Sequence, residues 1–479
     1  MAGIISIGAH IPIHRLSRAV IGQSWESRGM PGERTVANFD EDSLTMAVAA
    51  ARNCLKHVAE KKVGALYFAT TTAPYMEKQS AALMAAVLSL PEDAQTLDFT
   101  NSLRSGTSAF SAAVNAIDSG AADTVLVCAA DMRIFAPKSS QEMTSGDGAV
   151  AFLLGKEDLI AEIDWVDSYT DEIQDVWRLE GERFIRTAEE RFVQDLGYAR
   201  VVRNAVAKTL KKRNVKPEQF SKVCGNFTDP KSIGKVMAKV GFNPDEQLQA
   251  ELNQGVGDTG AAMSLLNAAH ALEGAAAGQS ILVTGYGNGC DVVSIRATEK
   301  IGSFRFARKI GDQVNQKIMM SSYNKYLIWR NLIDVAQTPR PPLVERQPTP
   351  PAQWREVKGE LVLNGTRCQE CGTAQYPPQR VCMICKTKDK MDRYNFSRVS
   401  AKVTTFSNDY IMETLDSPVT TTVVDFEGGG RMICDMTDRK LEEVVVGMEL
   451  EMTFRKLYSV GGINNYWWKC TPVRKNGQA

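Results

Sequence analysis

The sequence predicts an α/β fold of alternating strand and helix layers, followed by a metal-binding ribbon and a small β-barrel. Three observations carry that reading. Short apolar runs alternate with helix-patterned segments up to about residue 300, and a Pro-rich stretch interrupts the chain near 340. Beyond it come two CxxC pairs and then β-branched and aromatic segments.

A chain of 479 residues exceeds one ordinary domain, and its 44% apolar content is ample for a sizeable core. Zero formal net charge removes the basic field that nucleic-acid binding needs, so no nucleic-acid partner is expected. No apolar run reaches the roughly 18 residues of a membrane span, so no membrane partner is expected either. The N-terminal MAGIISIGAHIPIHRL lacks a basic leader region and is broken by Pro12, His14 and Arg15, so it reads as a strand and loop. Ten cysteines, four of them clustered, fit reduced thiols plus a metal site and a cytoplasmic location.

Strand-like runs fall at 65–70 (ALYFAT), 124–130, 149–155, 222–227, 280–286 and 291–297. Between them lie helical runs: 42–62, opened by a capping Asp42; 80–90, stopped by Pro91; 107–120, closed by Gly120; and 261–278. The alternation pauses from 165 to 215 and then resumes, as a duplicated five-layer fold would. These features divide the chain into halves at 1–165 and 166–335, a Pro-rich linker at 336–355, a ribbon at 356–390 and a barrel at 391–479.

Cys368, Cys371, Cys382 and Cys385 form CxxC and CxxC separated by ten residues. Each pair sets two thiolates on one tight turn, and two turns complete a tetrahedral four-sulfur cage. With no open ligand position the site is structural. Zinc is the first expectation, and iron in a rubredoxin-like ribbon the second, since four thiolates accept either.

Several segments resemble hydroxymethylglutaryl-CoA synthases of the thiolase superfamily and, more distantly, ketoacyl-ACP synthase III. They are FDEDSLTMAVAAARNCL (39–55), TTTAPYMEK (70–78), LDFTNSLRSGTSA (97–109), SGDGAVAFLLG (145–155), GNFTDPKSIGKVMAKVGF (225–242), VGDTGAAMSLL (256–266) and ILVTGYGNG (281–289). The resemblance implies a duplicated five-layer thiolase fold and a coenzyme A thioester as substrate. It also implies a homodimer, or a heteromer with another thiolase-family subunit. The region after about 350 is similar to the zinc-ribbon and OB-fold proteins that accompany thiolases.

The same resemblance puts Leu103 at the family's nucleophilic cysteine, Thr228 at its histidine, Thr71 at its general-base glutamate and Asp258 at its second-half asparagine. Leucine offers no lone pair, which excludes covalent acyl transfer at that position. Backbone donors survive a side-chain change, so an oxyanion hole built from Leu103 and Gly287 N–H groups is expected to persist. Two readings follow. One is an aldolase-type C–C lyase or condensing enzyme using Asp258, Tyr286, Tyr75 or Asp229, with Ser102 and Ser105 the nearest hydroxyls. The other is a non-catalytic subunit paired with an active relative. Cys290 is the one remaining cysteine placed to reach the cleft, and Cys128 and Cys224 lie within strands. Arg28, Arg34 and Lys78 are the candidate contacts for coenzyme A phosphates.

Overall fold

The computed structural model describes residues 2–58, 62–226, 230–249, 252–336, 349–412 and 414–477. Its first half contains β1 (Gly3–His10), β2 (Ala65–Ala69), β3 (Gln95–Phe99), β4 (Val125–Asp131) and β5 (Gly148–Gly155), ordered β3-β2-β4-β5-β1. The second contains β6 (Ala161–Thr170), β7 (Lys222–Gly225), β8 (Ser280–Tyr286) and β9 (Gly289–Ala297), ordered β7-β8-β9-β6. Strand senses also correspond: one parallel pair, β2–β4 and β7–β8, is followed in each set by two antiparallel pairs. Where a counterpart of β3 would lie, a single parallel bridge joins Leu248 to Val223 of β7. The duplication, only weakly marked in the letters, is plain in this topology. β1 and β6 meet antiparallel at Gly3–Glu162 and Ile4–Ala161, joining the two sets into one nine-stranded sheet.

Helices α1 (Ser43–Leu55) and α2 (Ser80–Val87) pack on the outer face of the first set, burying Leu66, Phe68, Leu126 and Cys128. Helices α3 (Ser105–Asp118) and α6 (Met263–Glu273) pack on the opposite face, over Tyr67, Val125 and Val127. Period-two alternation thus sends neighbouring residues of β2 and β4 into different cores. Helices α4 (Arg200–Arg213) and α5 (Pro230–Ala238) close the outer face of the second set, which completes five layers. α6 is buried on nearly every side, and its small residues Ala268, Ala269 and Ala271 let it lie deep between the two strand sets. α1 starts on a reciprocal cap: Asp42 accepts from Thr45 N at 2.9 Å, and Thr45 Oγ1 accepts from Asp42 N at 2.9 Å.

The second strand set begins at Ala161, a few residues before the expected 166. Residues 337–348 of the expected linker lie outside the described residues. Its end is helical: α7 (Pro350–Glu360) carries Pro350 and Pro351 in its first turn, where no amide proton is needed. The ribbon's sheet comprises β10 (Asn364–Cys368), β11 (Ala374–Gln375) and β12 (Met391–Asn395), the last strand lying just beyond residue 390. A closed five-stranded barrel follows: β13 (Ala401–Asp409), β14 (Val419–Phe426), β15 (Arg431–Met436), β16 (Glu449–Val460) and β17 (Ile463–Pro472), ordered β13-β14-β15-β17-β16.

The barrel is docked on the α1 side by apolar and charged contacts together. Phe454, Trp468 and Met452 share one apolar cluster with Leu44, Val48 and Ala51 of α1. Beside them Arg455, 2% exposed, lies 3.0 Å from Asp40, 3.0 Å from Glu41 and 2.5 Å from Asp438. Lys469 reaches Asp40 at 2.9 Å, His10 Nε2 reaches Glu41 at 2.7 Å, and Tyr466 donates to Asp42 at 2.8 Å. Burial alone would drive the Glu41 carboxyl upward, but Arg455 and His10 outweigh it and hold Glu41 at about 2. Among the described residues, no helix is long and apolar enough to cross a membrane.

Candidate functional site

Three segments meet at the start of α3. Gly106 lies against the carbonyl of Ala261, Gly285 lies against Thr107, and Gly287 faces the turn before α3. A Cβ on Gly287 would stand 2.7 Å from Ser102 Oγ and 3.2 Å from Leu103 N, so this approach requires glycine. The turn at 102–107 is thereby wedged between the 258–262 loop and the β8–β9 hairpin.

Leu103 is half-buried, and its N–H has no hydrogen-bond partner among the described residues. The Gly287 N–H, the other expected oxyanion donor, is already engaged: it donates to Gly289 O at 3.0 Å. Ser102 Oγ donates to Gly287 O at 3.2 Å and accepts from Arg104 N at 3.2 Å, so it ties the turn to the hairpin. The Ser105 hydroxyl is buried without a partner.

Asp258 is buried on the adjoining loop. Its Oδ1 accepts from Gly260 N at 3.0 Å, and its Oδ2 lies 3.6 Å from Arg133 Nη1. Burial pushes this carboxyl above the usual carboxylate range, and Arg133 only partly opposes that. Asp258 therefore holds a proton more readily than a surface aspartate does. Beside it Asp131 gathers five donors: Thr70 Oγ1 at 2.9 Å, Thr71 N at 2.7 Å, Thr72 Oγ1 at 2.8 Å, Thr71 Oγ1 at 3.0 Å and Ala261 N at 2.8 Å. Thr71 is thus a donor locked to a carboxylate, with no basic function of its own.

The wall beyond the hairpin is phenolic. Tyr286 donates to buried Asp175, and Asn226 clamps its backbone, accepting from Tyr286 N at 2.7 Å and donating to Tyr286 O at 2.8 Å. Burial raises the Tyr286 phenol, and Asp175 further favours its protonated form. The ring edge of Tyr198 meets Tyr286 with centroids 5.1 Å apart. The Tyr198 hydroxyl is buried without a partner; burial lifts it well above its ordinary value, and Cys290, Tyr286 and Asp258 add to that. Tyr198 sits on a π-helical stretch, Phe192–Ala199, a distortion common at functional sites. Asp131, Arg133, Asp175 and Tyr198 were not singled out from the sequence, where each is an ordinary polar residue on a strand, loop or helix.

Cys54, Cys128, Cys224 and Cys290 are buried, and burial pushes every one of these thiols up, Cys54 to about 12. Of the four histidines, His10 lies at the barrel junction, and His14 packs edge-on against Trp329 with ring centroids 4.9 Å apart. His57 is exposed, and His270 lies 3.1 Å from Glu273. Thr228 and Asp229 lie outside the described residues.

The remaining residues expected at the site lie elsewhere or are already occupied. The Tyr75 oxygen accepts from Asn464 N of the barrel at 2.9 Å, so it belongs to the docking contact. Lys78 is exposed, 6.0 Å from the Tyr75 ring, and Arg28 is exposed. Arg34 is buried, donates to Glu142 O at 2.5 Å, stands 4.0 Å from Asp147 and stacks over Tyr326, while its Nε and Nη2 are buried without a hydrogen-bond partner.

The second centre lies in the ribbon. The four thiols of Cys368, Cys371, Cys382 and Cys385 converge within 4.8 Å of one another, with Cys368–Cys385 at 3.6 Å and Cys371–Cys382 at 3.5 Å. Matching knuckles present them: Gly372 N bonds Cys368 O at 2.9 Å, and Lys386 N bonds Cys382 O at 3.0 Å. Both turn residues have positive φ, +74° at Gly372 and +63° at Lys386. Four soft donors in this geometry fit a structural Zn²⁺, which these cysteines hold.

Residues 355–390 match the family described as "ChsH2, rubredoxin-like zinc ribbon domain". Hydroxymethylglutaryl-CoA synthase of Methanocella arvoryzae is 30% identical over 309 residues, covering 62% of this chain and 89% of that protein. The Methanocaldococcus jannaschii hydroxymethylglutaryl-CoA synthase is 30% identical over 316 residues, covering 64% of this chain and 91% of its own length. Among solved structures, an HMG-CoA synthase complexed with CoA superposes with a TM-score of 0.62 at 19% identity, over 68% of this chain and 89% of that one. The 3-oxoacyl-(acyl carrier protein) synthase III of Pseudomonas aeruginosa gives 0.56 at 19%, over 62% and 98%. These superpositions establish the thiolase fold of the body.

Proposed function

We propose a function from one premise: the chain belongs to the hydroxymethylglutaryl-CoA synthase family. It is an enzyme of the condensing type acting on a coenzyme A thioester, and it makes or breaks a carbon–carbon bond through an enolate without an acyl-enzyme. Leu103, Thr71 and Thr228 occupy the positions of the family's nucleophile, base and histidine. One observation carries this reading. Among the described residues no imidazole lies at the Leu103 turn, while Asp258, Tyr286 and Tyr198 are groups whose protonated forms burial favours.

The steps follow from those groups. The thioester carbonyl oxygen takes the free Leu103 N–H, which stabilises enolate charge in a water-poor cleft. In the cleavage direction a phenol–carboxylate pair, Tyr286 with Asp175, receives the β-hydroxyl proton as the Cα–Cβ bond breaks. The electron pair of that bond passes to the α-carbon as the enolate, and Asp258, whose protonated form burial favours, delivers a proton there. The products are an aldehyde or ketone and a shortened acyl-CoA, and condensation is the same path reversed. Placing both proton carriers in one pocket is worth about 10²- to 10⁴-fold each in general acid–base catalysis. A panel of 3-hydroxyacyl-CoA thioesters, with the released carbonyl compound trapped, tests the proposal. Absence of turnover across the panel with thioester binding retained contradicts it.

A second reading rests on the Gly287 N–H, which Gly289 already occupies. With half the oxyanion hole engaged, the chain would serve as a non-catalytic subunit beside an active relative. β3 is a free sheet edge with Leu97 exposed, a surface open to a second subunit in a homodimer or heteromer. Co-purification of a stoichiometric subunit carrying an intact cysteine–histidine pair favours this reading over the first.

A further inference from the structure

A cavity of about 1170 Å³ opens between α1 and the barrel. It lies outside the functional cleft: α1 covers the outer face of the first strand set, while α3 and the Leu103 turn lie on the other face. Arg52 of α1, Lys56 just after it and Arg308 of the body line it, facing Arg398, Lys402 and Arg474 from the ribbon and barrel side. Most carboxylates at its rim are already paired: Asp425 with Arg431 at 2.5 Å, Glu449 with Lys475 at 2.8 Å, and Asp438 with Arg455 at 2.5 Å. Glu427 and Glu451 are the lining carboxylates without an ion pair among the described residues.

The arginines spend their hydrogen bonds on backbone rather than on charge. Arg52 donates to Met452 O and Ser397 O, Arg398 to Leu88 O at 3.0 Å, and Arg474 to Asp438 O at 2.7 Å, with the Asp438 carboxylate 4.0 Å from Arg474 as the one ion pair among these arginines. The Arg308 guanidinium has no hydrogen-bond or ion-pair partner among the described residues. Burial pushes Arg52 and Arg308 down to about 10; Glu451 opposes this at both, while Arg398 adds to it at Arg52 and Arg474 adds to it at Arg308. Six cations (Arg52, Lys56, Arg308, Arg398, Lys402 and Arg474) thus face the cavity against two carboxylates without an ion pair, Glu427 and Glu451, and that excess of positive charge suits an anion. Leu55, Leu88, Val403 and Phe426 supply an apolar wall beside it. The volume slightly exceeds the roughly 300–1,000 Å³ of ordinary small-molecule sites.

We propose that this cavity binds an organic phosphate of nucleotide size, held between body and barrel by Arg52, Arg308, Arg398 and Arg474, as a second site separate from the thioester cleft. Calorimetric titration of the full chain with ADP, inorganic pyrophosphate and acetyl-CoA tests it. ADP is expected to bind more tightly than pyrophosphate. Arg308→Ala removes a guanidinium with no hydrogen bond or ion pair among the described residues, so the variant is expected to melt as the parent does while losing about tenfold or more in ADP affinity. Its acetyl-CoA affinity is expected to stay unchanged. No ADP binding, equal affinity of parent and variant, or pyrophosphate binding as tightly as ADP overturns the proposal. A parallel loss of acetyl-CoA affinity in Arg308→Ala overturns it as well, because the cavity would then be the thioester site itself. Failure of the proposed carbon–carbon chemistry leaves these titrations unaffected, so the two ideas fail separately.

Discussion

Replacing Arg455 by methionine removes the charge that joins barrel to body. Arg455 lies within 3.0 Å of Asp40 and Glu41 and 2.5 Å of Asp438, and both it and these carboxylates are buried. Methionine fills much of the same volume, so the loss is electrostatic rather than steric. Lys469 still reaches Asp40, and His10 still reaches Glu41, which limits the damage to those two groups. Asp438 keeps Asn38, at 2.8 Å, and the more distant Arg474 at 4.0 Å. Removing one partner of a buried ion pair costs about 3–5 kcal/mol, roughly a thousandfold in the docking equilibrium. Urea unfolding followed by tryptophan fluorescence reads it, since Trp468 is fully buried in the barrel. The expected result is an early transition in which the barrel separates first. A variant whose midpoint and cooperativity match the parent refutes the reasoning, because the network would then contribute nothing net. Asp438→Asn with Arg455→Met provides the double-mutant check and is expected to recover part of the loss.

Three further outcomes are expected. Acid should loosen the same junction in two windows. Burial lowers His14 to about 4, so its neutral form supports the fold fully above 6.5, and that support is lost as pH falls from 6.5 towards 4, by roughly 3 kcal/mol. Glu41, held at about 2, adds a loss between 4.5 and 2; a His14→Phe variant whose unfolding midpoint still falls through the first window counts against the assignment. Chelation should release about one zinc per chain, read with a colorimetric metal indicator, and Cys382→Ser should abolish that release while loosening the ribbon. A metal-free chain with an intact ribbon contradicts this. Finally, Asp258→Asn should lower turnover of the active 3-hydroxyacyl-CoA by about a hundredfold or more with little change in thioester affinity. An equal loss in affinity would make Asp258 a structural residue.

The sequence made the layers legible because strand and helix periodicities differ, and Asp42, Pro91 and the glycines punctuate them clearly. The zinc cage was legible because four cysteines at that spacing have one geometric solution. The boundaries were less so. α1 stops at Leu55 although helix-forming letters continue, and the ribbon sheet borrows Met391–Asn395, which reads as part of the barrel. The functional cleft was only partly legible. Leu103, Asp258 and Tyr286 are near one another because the chain brings 102–107, 258–262 and 285–289 together. Tyr75 and Arg34 went elsewhere for reasons no local pattern encodes: one accepts from a barrel residue 389 positions away, and the other is enclosed by Glu142, Asp147 and Tyr326. Tyr198 and Asp175 were missed because their significance is an unpartnered hydroxyl and a long-range bond to Tyr286, which are properties of packing.

Intact-mass spectrometry of the chain under turnover tests the central claim most directly. Incubated with acetyl-CoA and with a 3-hydroxyacyl-CoA that it converts, the protein is predicted to release product while its own mass stays unchanged at every quench time. An acyl increment that appears and decays with turnover, mapped to Ser102, Ser105 or Cys290, would contradict carbon–carbon chemistry without an acyl-enzyme.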